Sequence, residues 1–248
     1  MNAFSTVAEF YEVLTNSTRR LEKEGPLLLE YLERTGGKNV MDIACGTGLH
    51  AQFFAEHGAN VTAIDLSEEM LEYARAHRQH PSITYVCADM RSLPSGQWDL
   101  AISLGNSLSL LSNEDDLVHV FAQLAGCVAS RGFVIVQIVN YLSAAAQKPR
   151  HRVEESEHGG VEVIAIKNMV PVDSQTLVSL QFFARQAEVW RNLSDWALLR
   201  NWHVEDLEKA ASQSGFELER VFGSFQGDAY QSETSPDVVA VFRHGSKG

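Results

Sequence analysis

The chain is short of positive charge: 20 lysines and arginines stand against 32 aspartates and glutamates, a formal net charge of −12. Affinity for nucleic acid rests largely on neutralising phosphates, so a nucleic-acid partner is not expected. The one basic cluster, QKPRHR at 147–152, is short and reads as a solvated loop. No apolar run reaches the roughly 18 residues that span a bilayer, so no membrane partner is expected. The opening MNAFSTVAEFYEV lacks the basic and then apolar pattern of a secretory leader, so the expected compartment is the cytoplasm. Cysteine is scarce too. Cys45, Cys87 and Cys127 fall singly, without metal-ligand spacing or an even count for a disulfide framework, and read as small reduced core residues. The nine histidines form no ligand pair on a recognisable helix, so no metal is expected. No Ser, His and Asp order argues for a covalent nucleophile, and no catalytic residue is assigned.

With 45% hydrophobic and 21% charged residues over 248 positions, the chain can bury one sizeable α/β core carrying an insertion. Strand and helix patterns alternate from Val40 onward. NVMDIA, NVTAID, ITYVCAD, WDLAISLGN and GFVIVQIVN read as strands. Between them, LHAQFFAEHG and the stretch after Ser67, with Glu68 and Glu69 in its first turn, read as helices. SNEDDLVHVFAQLAGCVASRG keeps Leu117, Phe121, Leu124 and Val128 on one helical face, with Ser112 and Asp115 as its capping pair. Strands apolar on both faces and alternating with helices imply a doubly wound parallel sheet. After Asn140 the rhythm changes: VEVIAIKNMV, a turn at PVDSQ and TLVSLQFFARQAEVW read as strands joined without helices. The helix VEDLEKAASQSG then returns to the main layer, and FELERVFGSF with DVVAVFRH closes the sheet as a hairpin with an antiparallel final strand. The expected organisation is a helical cap at 1–39, a core at 40–144 and 201–248, and a β-rich lid inserted at 145–200.

The chemistry gathers at VMDIACGTGLHA, residues 40–51. From Gly46 to Ala51 it matches the G-x-G-x-x-G/A nucleotide pattern, and Asp65 ends the second strand at nearly the spacing of a ribose-binding acid. A pyrophosphate wants a positive field at the helix N-terminus, and a carboxylate at Asp42 opposes that. A ligand with no phosphate and with positive charge beside the turn suits Asp42 better. S-adenosylmethionine is such a ligand, presenting a sulfonium and an α-ammonium there and a ribose diol to Asp65. Gly46 and Gly48 would let backbone approach its methionine portion.

At these residues the chain resembles the class I S-adenosylmethionine-dependent methyltransferases, whose glycine motif looks like VMDIACGTG and whose second-strand acid matches AIDLSEEML. The resemblance implies a Rossmann-like methyltransferase sheet that binds S-adenosylmethionine and releases S-adenosylhomocysteine. It adds Ala44 to the glycine turn, places Asp89 of CADMRSLP at the adenine amino group with Met90 near the ring, and packs Met70 on the other side. DLAISLGNSLSLL matches the fourth-strand motif, with Leu104 and Gly105 near the cofactor. ACGTG, LGNS and an NY pair, here Asn140 and Tyr141, are similar to the glycine and sarcosine N-methyltransferase group. That likeness places Arg20 at the cofactor carboxylate.

The acceptor is expected to be a small molecule, most simply an amine nitrogen, with Tyr11, Asn106 and Tyr141 as substrate-binding candidates. O-methylation is the alternative, and a nucleotide-dependent oxidoreductase or a cofactor-binding regulator without turnover are rivals from other classes. A homo-oligomer is left open. The likeness departs at Val139, where glycine N-methyltransferase has an arginine that binds the substrate carboxylate, so glycine is expected to be a poor substrate. A carboxylate would need a partner from Arg150, Arg152, Arg185 or Arg191.

Overall fold

The computed structural model describes residues 4–15, 17–158 and 160–245. A 3-10 helix, Ser5–Phe10, leads into α1 (Tyr11–Thr15) and α2 (Ser17–Thr35). Strands and helices then alternate as β1 (Asn39–Ile43), α3 (Leu49–Glu56), β2 (Asn60–Asp65), α4 (Glu68–His77), β3 (Ile83–Cys87), β4 (Trp98–Ser103), α5 (Glu114–Cys127) and β5 (Val128–Val139). Four strands follow without a helix: β6 (Arg150–His158), β7 (Val161–Val172), β8 (Gln175–Gln186) and β9 (Val189–Arg200). Helix α6 (Val204–Ser212) precedes β10 (Phe216–Phe222) and β11 (Asp237–His244).

Seven strands form one sheet in the order β10, β11, β5, β4, β1, β2, β3. β1 to β5 are mutually parallel, and β11 runs antiparallel to both β5 and β10. The hairpin expected from the sequence therefore forms with its last strand inside, against β5. The strands are apolar on both faces because both are covered. Leu28, Tyr31, Phe54 and Leu71 from α2, α3 and α4 pack on one face with Val40, Leu100 and Ile135. Leu117, Phe121 and Leu207 from α5 and α6 pack on the other with Met41, Ile43 and Val136. Consecutive residues of β1 thus face opposite clusters. The carboxyl ends of β1 and β4, neighbours whose connections run opposite ways, open a crevice of the kind in which ligands collect.

Strands β6 to β9 form a separate antiparallel sheet in sequence order. Its inward stripe, with Val163, Ala165, Val178, Leu180, Phe182 and Ala197, buries Val7, Phe10 and Leu14 of the N-terminal segment. The turn expected at PVDSQ is tighter than its sequence suggests: β7 runs through Val172, and only Asp173 and Ser174 connect it to β8. No helix among the described residues is long and apolar enough to cross a membrane.

Several expectations need correction. The basic segment 147–152 is not all loop, since Arg150 and Arg152 begin β6 and pair with Met169 and Lys167 of β7. Charge on an edge strand blunts its unpaired backbone, which is why the pattern reads as solvated. Cys45 and Cys127 are buried free thiols, but Cys87 is exposed at the end of the edge strand β3. The cap of α5 is Asn113, not Ser112: Asn113 Oδ1 accepts from the Asp116 amide at 2.8 Å while its Nδ2 donates to Asp116 Oδ2 at 3.1 Å. Two bonds from one side chain outcompete the single one a serine offers.

Candidate functional site

The parallel strands deliver two carboxylates to one edge. Asp42, near the end of β1, is 2% exposed, and its Oδ2 is buried without a hydrogen-bond partner. Burial pushes this carboxyl up to about 7; the charge of Arg20 and the Ala51 backbone N–H oppose the rise, and the charge of Asp65 adds to it. An orphaned acceptor beneath a glycine turn is completed by a cationic donor.

Asp65 ends β2. Its Oδ2 accepts from the Gly46 amide at 2.8 Å and its Oδ1 from the Ser67 amide at 2.9 Å, tying the glycine turn to the start of α4. Burial raises this carboxyl, and the backbone N–H groups hold it back in part. Each oxygen keeps a second lone pair, so the acid can brace the turn and still accept from a diol.

The turn between them is wound to the left, with φ of 57° at Ala44, 55° at Gly46 and 80° at Gly48. The two glycines serve different ends. A Cβ on Gly48 would come within 2.6 Å of Tyr85 Oη, whereas one on Gly46 would meet nothing within 4 Å. Gly48 permits internal packing, and Gly46 faces open space where a ligand can approach backbone.

Helix α2 supplies Arg20. Its Nε lies 2.9 Å from Glu24 Oε1, and Glu24 Oε2 lies 2.6 Å from His50 Nε2. Burial alone would raise Glu24, but the His50 hydrogen bond and the Arg20 charge outweigh it and hold the carboxyl below its ordinary value. This buried chain aims the guanidinium. A Cβ on Gly105 would sit 3.6 Å from Arg20 Nη2, so the free end of the arginine lies against the turn after β4.

On the far side of the crevice Asp89 is clamped by Arg91, with Nη2 to Oδ2 at 2.6 Å and Nε to Oδ1 at 3.0 Å. Those bonds hold its carboxyl below the usual range. Met90 is partly buried against the core and Met70 is buried in α4, where Ser67 Oγ accepts from its amide.

The turn after β4 is held by Gln137, whose Oε1 accepts from the amides of Gly105 at 2.7 Å and Asn106 at 3.2 Å. Gln137 Nε2 donates to Asp237 Oδ1 at 2.8 Å. Leu104 is buried. Asn106, in the left-handed region at φ 69°, spends its side chain internally: Nδ2 donates to Tyr141 Oη at 2.7 Å, and Oδ1 accepts from the Val139 amide at 2.9 Å and from Ser109 Oγ at 3.0 Å. Asn106 and Tyr141 are thus joined to each other.

A small cavity of about 110 Å³ lies where three parts of the chain meet. Gly105, Asn106 and Val139 wall it from the core, Tyr11 and Leu14 from the N-terminal helices, and Lys167 and Met169 from the second sheet. Burial raises the Tyr11 hydroxyl, with Arg20 opposing and Asp65 adding. Glu24, His50, Gln137, Asp237 and Lys167 were not expected from sequence. Only Lys167 carries a local signal, as a charge within the otherwise apolar alternation V-x-V-x-A-x-K-x-M from Val161 to Met169.

Residues 40–132 match the family model described as a methyltransferase domain. The chain is 31% identical over 138 residues to the glycine/sarcosine N-methyltransferase of Aphanothece halophytica, covering 54% of this chain and 52% of that protein. It is 35% identical over 142 residues to a ubiquinone biosynthesis O-methyltransferase of Coxiella burnetii, covering 55% and 60%. It therefore spans half to three-fifths of these two relatives. A crystal structure of an S-adenosylmethionine-dependent methyltransferase from Clostridium acetobutylicum shares the fold along nearly the whole chain, with TM-score 0.79, 19% identity, and coverage of 98% and 99%.

These findings support a class I S-adenosylmethionine-dependent methyltransferase, with the family match falling on residues 40–132. For this methyltransferase the unpaired Asp42, the left-handed turn and the open approach at Gly46 fit the cofactor; a pyrophosphate would meet two buried acids there.

Proposed function

We propose that this methyltransferase holds its cofactor along the carboxyl edge of β1 to β4 and methylates a small-molecule amine in the cavity between that edge and the second sheet. When bound, S-adenosylmethionine supplies an activated methyl group on a sulfonium. The chain's own residues position it. Asp42 offers its unpaired oxygen to the positive methionine end, Arg20 faces the carboxylate, and Ala44, Gly46 and Gly48 let backbone lie close. Asp65 accepts from the ribose hydroxyls. Asp89, Met90 and Met70 flank the base, while Leu104 and Gly105 line the methyl-transfer end.

The observation that carries the reading is the cavity, because it adjoins Gly105 and is enclosed by elements outside the cofactor sheet. At about 110 Å³ it admits a volume close to that of four waters, enough for the reacting end of a small molecule. Strands β6 to β9 and the N-terminal helices act as a lid that excludes water and orients the acceptor, and orientation supplies much of the rate where the leaving group is already activated. Tyr11 lines the cavity, and Asn106 and Tyr141 brace its core wall.

An amine must lose its proton before it attacks. The amine can meet this need by binding in its unprotonated form or by losing its proton to water, and no general base is assigned among the cavity residues. O-methylation is the second reading, favoured by the Coxiella burnetii relative. Release of S-adenosylhomocysteine should be measured with small acceptors matched in all but the reacting atom, such as β-alanine and 3-hydroxypropanoate. Turnover of the amine alone is expected; turnover of the alcohol alone would overturn the reading.

A further inference from the structure

Four arginines beyond the cofactor edge offer themselves as partners for an anionic acceptor, and the structure separates them. Arg185 pairs with Glu162, Arg191 with Glu9 at 2.8 Å and Arg152 with Glu154, all at exposed positions. Arg150 is different. It forms no ion pair among the described residues, its Nε is buried without a partner, and its Nη2 lies 3.6 Å from the sulfur of Met169, a cavity-wall residue.

Lys167 stands in the same position chemically. It occupies the inward stripe of β7, two residues from buried Ala165 and two from Met169, and it lines the cavity. Among the described residues its ammonium has no hydrogen-bond or ion-pair partner. In the β6–β7 register it lies opposite Arg152, while Met169 lies opposite Arg150, so the three cationic side chains project from one sheet face. Burial is the main influence on Lys167, followed by the charges of Arg20, Arg150 and Arg152, and together they lower its ammonium to about 8. Arg20 is already answered by Glu24 and Arg152 by Glu154. Lys167 and Arg150 are left as two half-buried cations without carboxylate partners, one with its Nε fully buried, in a chain of net charge −12. Unpaired buried charge is costly to maintain, and an arriving anion relieves that cost.

We propose that Lys167, together with Arg150, forms a subsite for an anionic group, a carboxylate or a phosphate, carried by the methyl acceptor. The inference rests on the cavity being the acceptor site. It narrows the acceptor to an amine with a negative group on the side away from the reacting nitrogen. It also places that group on the lid, whereas in glycine N-methyltransferase the arginine is at the position of Val139. Charge-assisted hydrogen bonds to such a group give affinity and fix the register of the acceptor at once.

Calorimetry on the S-adenosylhomocysteine complex tests the subsite directly, with acetate and inorganic phosphate as probes and Lys167→Met, Lys167→Arg and Arg150→Met as variants. The unmodified protein should bind one of the two anions, and the stronger binder distinguishes carboxylate from phosphate. Loss of the ammonium should weaken that binding about tenfold or more, with Lys167→Arg retaining most of it. Kinetics then compare β-alanine with its amide, and phosphoethanolamine with ethanolamine. In Lys167→Met the KM of the anionic member should rise while its kcat and the KM of the neutral member hold. Absence of anion binding to the unmodified complex, equal binding by Lys167→Met, or a fall in kcat for both members with a shifted pH profile would overturn the proposal; the last result would make Lys167 a proton acceptor. Affinity for S-adenosylhomocysteine is the separate control. If the unmodified protein fails to bind it, the site assignment itself fails; if it binds and only the anion arm fails, the subsite alone is lost. Should Lys167→Met not fold, Lys167→Gln takes its place.

Discussion

The floor and the roof of the site are built from opposite charges. Asp42, Asp65 and Asp89 line the carboxyl ends of the parallel strands, Asp65 held by backbone, Asp89 by Arg91 and Asp42 with one oxygen unpartnered, while Lys167 and Arg150 hang from the second sheet without carboxylate partners. The floor's acids stand at the ends of successive parallel strands: Asp42 lies just before the glycine turn, Asp65 reaches Gly46 from the end of β2, and Asp89 is held by Arg91 after β3. The roof depends on which residues of long antiparallel strands happen to face inward. This asymmetry separates two tasks. On the proposed reading, the floor recognises a ligand that carries positive charge and a diol, and the roof is free to vary with the acceptor. Substitutions in the floor should therefore change cofactor affinity, and substitutions in the roof should leave it alone.

The strongest test of that separation is Asp65→Ala. It removes the acceptors proposed for the ribose and also strips the Gly46 and Ser67 amides of their partner. Two charge-assisted bonds to a ligand at about 1.5–3 kcal/mol each imply a loss of cofactor affinity on the order of 100-fold or more. The orphaned amides should lower the melting temperature as well. Calorimetry with S-adenosylhomocysteine beside a thermal melt reads both, and unchanged affinity in a folded variant would detach Asp65 from the cofactor.

Next in size is a pH effect. Asp42 is raised to about 7 in the cofactor-free protein, so a cationic ligand that needs the carboxylate must displace a proton below that pH. Affinity should rise by up to about tenfold per pH unit as pH climbs toward 7 and level off above it. Stability without cofactor runs the other way. The folded protein holds this proton more tightly than the unfolded chain, so Asp42 makes it less stable as pH rises from its ordinary value of 3.8 through 7. Asp42→Asn should flatten both dependences; a persisting rise in affinity would assign it to another group.

Arg20→Ala should cost about tenfold in affinity for S-adenosylhomocysteine, the value of one charge-assisted contact, and nothing for an analogue lacking the methionine carboxylate. The same variant leaves Glu24 with His50 alone. Equal losses for both ligands would show that the arginine matters for holding α2 and not for the carboxylate.

What was legible beforehand follows the same line. The glycine turn and the Ser67 cap depend on residues close in sequence, and Asp65, 19 residues from Gly46, was placed by the spacing of a strand–helix–strand unit; patterns of that kind survive without knowledge of long-range packing. The parallel core was equally plain, because strands covered on both faces are apolar throughout. Strand β6 was hidden because Arg150 and Arg152 alternate on an edge. Gln137 and Asp237 were hidden because their link spans 100 residues. Lys167 was hidden because both faces of β7 carry isoleucine, valine or alanine, so alternation did not say which face is inside. Arg20 is the exception among long-range groups: its position came from resemblance, and only the structure shows Glu24 and His50 aiming it.

The smallest effect decides how much of the core wall touches the acceptor. Asn106 and Tyr141 were expected to meet it, yet Tyr141 is 5% exposed and its hydroxyl takes the Asn106 Nδ2 hydrogen bond at 2.7 Å. Asn106 Oδ1 meanwhile holds the Val139 amide, so this pair ties the turn after β4 to the end of β5. Tyr141→Phe keeps the ring and its packing and removes only the acceptor for one buried N–H. If the pair braces the wall, the cost is the desolvation of that donor, about 1–3 kcal/mol of stability, with the acceptor KM and the cofactor affinity nearly unchanged. If the hydroxyl contacts the acceptor, KM should rise while the melting temperature moves little, because the lost bond is then made only when substrate is present. A thermal melt and a Michaelis curve on one variant separate the two, and the buried geometry favours the first.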